Sequence, residues 1–149
     1  IKSALALCEK YDSPVARLVE KGIERIGRPL PDIQAAVENM GNVEVARLEK
    51  GLPMLATIAG GAPMIGFLGT VSGMIQAFFR MSTAGNNIDI TLLSGGIYEA
   101  MVTTVGGLFV GIIAYFGYNF LTSQISNLVF KMESTTIEFI DMLHEPAGR

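Results

Sequence analysis

The chain has 149 residues, 50% of them hydrophobic and 17% charged, with a net charge of −3 and a mean hydropathy of +0.43. So small a charge balance, with no basic stripe interleaved with aromatics, argues against a nucleic-acid partner, and the single cysteine, Cys8, can build neither a disulfide framework nor a cysteine metal site. A half-apolar, charge-poor chain belongs in a lipid bilayer, and 17 glycines suit membrane helices that pack backbone against backbone.

The chain opens on Ile1 without a charged-plus-apolar signal segment, which reads as a piece of a longer protein. Residues 1–50 carry eight basic and eight acidic side chains and form a charged helical region. Ser13 can cap a helix with Pro14 at its first position, and Val15, Leu18, Val19, Ile23 and Ile26 then share one face. After a break at Gly27–Pro31, Asp32 is a candidate cap for a second helix with Ile33, Val37 and Met40 on one side.

Charge then stops. Leu52–Phe79 holds no charged residue over 28 positions, a helix of roughly 42 Å against a hydrocarbon core of roughly 30 Å. The reading is a membrane helix over 51–80, a short external loop over 81–91 with Arg80 at its edge, and a second membrane helix over 92–121. A cytoplasmic amphipathic helix and tail follow over 122–149, where Leu121, Ile125, Leu128, Met132, Thr135, Phe139 and Met142 alternate spacings of four and three, a coiled-coil-like seam. The fold class is an all-α membrane protein whose long antiparallel spans extend into a cytoplasmic helical bundle. Lysine and arginine number eight before residue 51, one in the connection and two after the second tract, so the positive-inside rule puts both flanks in the cytoplasm.

Both spans carry small-residue faces. Gly66, Gly69 and Gly73 recur at spacings of three and four in the first, and Gly107 and Gly111 repeat the device in the second; such faces let helices approach closely in lipid. Pro63 removes one backbone hydrogen bond and should kink the first span or free a carbonyl. Glu99 is the one charged residue between Ile90 and Phe130. A carboxylate at bilayer depth costs at least about 2.5 kcal/mol, so it should face a bundle interior or a wet cavity. Thr103, one turn on, shares its face, whereas Thr104 lies about 140° around the helix. Hydroxyls at this depth can pass hydrogen bonds along a wet path, or bond to the preceding turn or a neighbouring helix. An enzyme is not expected. His144 is the only histidine and sits in the polar tail, and no metalloprotease, nucleophile-elbow or phosphate-loop motif is present.

The segment APMIGFLGTVSGM (62–74), followed by GGIYEAMVTTVGGL (95–108), resembles the ExbB/TolQ/MotA family of ion-driven stator subunits, and within it the ExbB branch. Ala62, Pro63, Gly66, Gly69, Thr70 and Val71 match the motif of that family's second membrane helix. Gly96, Ile97, Glu99, Ala100 and Thr104 match that of the third. The resemblance covers roughly residues 45–145. It implies a fragment lacking the N-terminus and first membrane helix of a multi-pass protein of the bacterial inner membrane. It further implies a homopentamer around an ExbD-like single-span partner whose aspartate exchanges protons, with work passed to a TonB-like transducer for outer-membrane uptake. The resemblance implies protons as the coupling ion, and no metal or other cofactor. Glu99, Thr70 and Thr104 would line the pore, although the helical wheel selects Thr103 as Glu99's companion. Ser72 stands where a bulky aromatic is usual. A TolQ-like subunit for envelope integrity, a MotA-like flagellar stator and a passive membrane scaffold are the alternatives.

Overall fold

The computed structural model describes residues 2–84 and 90–144, and among these the chain is five helices and no strand. They are α1 (Lys2–Lys10), α2 (Pro14–Ile23), α3 (Leu30–Leu48), α4 (Leu52–Thr83) and α5 (Ile90–His144). Of the segment read as the connecting loop, residues 85–89 fall outside the described residues, Met81–Thr83 belong to α4 and Ile90 and Thr91 to α5. The chain is an all-α membrane protein with two helices long and apolar enough to cross a bilayer. It forms two compact units, one from residues 1–50 with 122–149 and the other from residues 51–121, so α5 contributes to both.

In the first unit, α2 starts where Ser13 accepts a hydrogen bond from the Ala16 backbone N–H at 3.1 Å, with Pro14 occupying a position whose N–H would have no helical partner. Gly27, at φ 101°, makes the left-handed turn toward α3. That helix begins at Leu30 behind Pro29, so Asp32 lies in its first turn and is not the cap expected from the sequence. There its negative charge still complements the helix dipole.

Leu18 and Ile23 from α2, Ile33 and Val37 from α3, and Met132 and Phe139 from α5 make one buried cluster. Each contributes roughly 1.5–3 kcal/mol by leaving water. Phe139 packs where Gly22 has no side chain; a Cβ there would collide with its ring and lie 3.1 Å from Val37. Three residues expected on apolar faces, Ile26, Leu121 and Met142, are exposed. Ile26 falls beyond the end of α2, and Met142 lies in the last turn of α5. Cys8 is half-buried against the cluster's edge.

Beside this core lies Glu44, 1% exposed. Its carboxylate accepts hydrogen bonds from Arg17 at 2.6 Å and Arg47 at 2.9 Å, and Arg17 also pairs with Asp12. The Arg17 hydrogen bond is the largest influence on the acid and holds its pKa below the usual carboxylate value, against an upward push from burial. The same pairing raises Arg17 above its ordinary value.

The second unit is an antiparallel pair of α4 and the first part of α5, set together by small residues. Along the seam Gly66 faces Gly107, Gly73 faces Ala100 and Ala77 faces Gly96; an added Cβ at Gly73 or Gly96 would come within 2.7 Å of the alanine opposite. At Gly66 and Gly107 the obstacle is backbone, the Thr103 carbonyl at 2.9 Å and the Ala62 carbonyl at 2.6 Å. α4 continues through Pro63, whose ring packs on Gly111. The missing Pro63 N–H frees the Ala59 carbonyl, which lies 3.2 Å from where a Gly111 Cβ would stand. Arg80, read as the edge of the loop, is in the last turns of α4. Around the pair, Met64, Ile65, Phe67, Leu68 and Ile75 on α4 and Val105, Phe109, Ile113 and Phe116 on α5 are exposed, an apolar exterior suited to lipid or to neighbouring helices.

Candidate functional site

Two polar features interrupt the apolar helix pair. The first is a hydroxyl bridge in the seam. The Thr70 and Thr104 hydroxyls are in hydrogen-bond contact, and Thr70 Oγ1 also lies 3.0 Å from the Ala100 carbonyl. Thr104 Oγ1 is 3.3 Å from the carbonyl of Gly66. These contacts exist because Gly66 holds the α4 backbone against Thr103, Thr104 and Gly107 of α5. A bulkier residue there would carry the two hydroxyls apart.

The second feature is a groove of about 160 Å³ along one side of the pair, with Ser72, Gln76 and Arg80 on the α4 wall and Glu99 and Thr103 on the α5 wall. Its floor is small residues, Gly73, Ala77, Gly96 and Ala100 among them. That floor leaves room for water beside the carboxylate. Glu99 is exposed in the single chain. Thr103 donates to the Ala100 carbonyl at 2.7 Å, a bond to its own preceding turn.

The wheel and the motif therefore select different threonines for a geometric reason. Thr103 shares Glu99's wall of the groove, and its side chain also covers Gly69. Thr104, about 100° further round, points into the seam and meets Thr70. Gly66, Gly69, Gly73, Gly107 and Gly111 all lie on the seam, whereas Gly60, Gly61, Gly95 and Gly106 have open space beside them.

Residues 10–134 match the model of the MotA/TolQ/ExbB proton channel family. The chain belongs to this family. It is 33% identical over 130 residues to an ExbB homolog, a biopolymer transport protein of Methanothermobacter thermautotrophicus, covering 87% of this chain and 46% of that one. Against the Tol-Pal system protein TolQ of Haemophilus influenzae it is 36% identical over 106 residues, 71% of this chain and 46% of the relative. Against the biopolymer transport protein ExbB of Neisseria gonorrhoeae it is 30% identical over 135 residues, 81% and 61%. The chain thus spans about half the length of the relatives it matches.

In the sequence Glu99 and Thr103 stand out, but Gln76 and Arg80, in the groove they share, carry no expected role. The signal was present: Ser72, Gln76 and Arg80 recur every four residues in a span that is otherwise small or apolar, and that spacing stacks them on one helix face. The Arg17–Glu44 pair was also missed. Its members are 27 residues apart, and only the local Glu44–Arg47 pair follows from helical spacing.

Proposed function

We propose that the chain is the channel-forming part of a proton-driven stator subunit in the bacterial inner membrane. In this reading α4 and the first part of α5 cross the bilayer, both flanking regions lie in the cytoplasm, and copies of the subunit, five by family resemblance, surround an ExbD-like single-span partner. The observation that carries the reading is the placement of the one intramembrane carboxylate in a polar groove, beside a pair of helices bridged by Thr70 and Thr104. A charge at this depth has to face water or a partner. The groove supplies that setting, and a hydroxyl, being both donor and acceptor, can hand a hydrogen bond onward.

Glu99 would accept a proton and release it along the groove, with the threonine hydroxyls orienting water, while the partner's aspartate performs the principal exchange. One elementary charge crossing the membrane releases roughly 2.3 kcal/mol per 100 mV, so a few protons suffice to drive a conformational step. We assign the work to a TonB-type transducer for outer-membrane uptake.

A TolQ-like role in envelope integrity is the second reading, favoured by the 36% identity to the Haemophilus influenzae TolQ. Glu99→Ala in the complete protein in its own host separates them. Loss of energised uptake with assembly intact and the envelope sound supports the ExbB-like role. Envelope leakage with normal uptake supports the TolQ-like one. Neither defect would reject a coupling role for the carboxylate.

A further inference from the structure

The groove holds one permanent positive charge as well as its carboxylate. Among the described residues, neither Arg80 nor Glu99 has an ion-pair partner within 4.0 Å, yet both line the same groove. Helical side chains lean toward the N-terminus of their own helix. In an antiparallel pair this tilts Glu99 toward the connecting segment and Arg80 away from it, so the two lean toward each other. Gly73–Ala100 and Ala77–Gly96 are the contacts at the levels between them, small residues on both helices. Ser72 and Gln76 extend the same wall with neutral polar groups, and among the described residues Glu99 is the acid that lines the groove. A guanidinium stays protonated at any working pH, and charges at membrane depth pair with one another.

We propose that Arg80 is the positioning counter-charge of Glu99. When the groove is closed by neighbouring helices, Arg80 draws the ionised carboxylate toward the loop end of the pair and lets it go when Glu99 takes a proton. This inference rests on the channel reading, since it assigns Arg80 a part in the same proton step. It makes Arg80 a residue that acts through Glu99, without itself exchanging protons.

The test uses the complete protein co-expressed with its native partners, with proton flux read in membrane vesicles and assembly read on native gels. Arg80→Gln is expected to lower flux about tenfold with assembly intact, a barrier change of about 1.4 kcal/mol, while Arg80→Lys, which keeps the charge, stays within about twofold of wild type. With Cys8 replaced by serine, Arg80→Cys and Glu99→Cys are expected to be joined by a short bifunctional thiol reagent within one chain. Wild-type flux in Arg80→Gln, equal impairment of the lysine variant, or failure of the cross-link would each overturn the proposal. If Arg80→Gln does not assemble, the exchanged pair Arg80→Glu with Glu99→Arg must restore assembly; its failure overturns the pairing as well. Unchanged flux in Glu99→Gln would instead reject the channel reading, and the cross-link would still report separately on whether the two positions meet.

Discussion

Glu44 shows what a single buried charge does in this chain. Its two arginine partners neutralise it, but Arg17 is 28% and Arg47 64% exposed, so water screens part of the attraction. Removing one member of a fully enclosed pair costs about 3–5 kcal/mol; here about 1–3 kcal/mol is expected for Glu44→Gln, read as a lower melting temperature of the detergent-solubilised chain by circular dichroism. Because the folded pKa lies below the ordinary carboxylate value of 4.5, the stabilisation is complete above about pH 4.5. It is lost as pH falls through the lower folded value, where Glu44 takes up its proton. The melting curves of wild type and Glu44→Gln should therefore converge in acid and separate again toward neutral pH. A constant gap across that window would contradict the ion-pair account. None of this was legible in the sequence, because a contact between α2 and α3 depends on how the turn at Gly27 folds one helix onto the other. The Ser13 cap, which is local, was legible.

At the scale of elements, the seam between α4 and α5 was largely readable. Small residues at spacings of three and four marked the contacting faces, and the antiparallel order followed from the short connection. Which glycine faces which was not readable, since register depends on the packing of Pro63 on Gly111 and of Ala77 on Gly96. The seam predicts an asymmetry among glycines. Gly66→Val and Gly107→Val press a side chain onto the opposing backbone and should each cost about 1–3 kcal/mol, as overpacking does. They should also part Thr70 from Thr104. Gly60→Ala meets nothing within 4 Å and gains helix propensity of about 1 kcal/mol. Limited proteolysis in detergent should show faster cleavage of the first two and none of the third beyond wild type; equal sensitivity of all three would argue against this packing.

For the whole molecule, membrane class came through in composition and in the interruption of charge between Leu52 and Phe79. Family came through in two motifs whose residues now prove to be neighbours across the seam: Thr70 with Thr104, and Gly66 with the Thr104 backbone. Much of the groove was hidden, because Arg80 was read as the boundary between span and connection and assigned to no helix face. A helix that continues to Thr83 carries Arg80 onto the same face as Gln76 and Ser72, and only that extension shows the carboxylate to share its setting with a cation. If this setting is a path for protons, removing the Glu99 charge must slow their passage. The deciding measurement is proton flux into liposomes holding the complete protein and the proposed single-span partner under an imposed potential. Wild type is compared with Glu99→Gln and with Glu133→Gln, an exposed acid outside the two-helix unit. A loss of about tenfold or more is expected for Glu99→Gln and wild-type flux for Glu133→Gln; wild-type flux in both, from fully assembled complexes, would rule out a proton path through the groove.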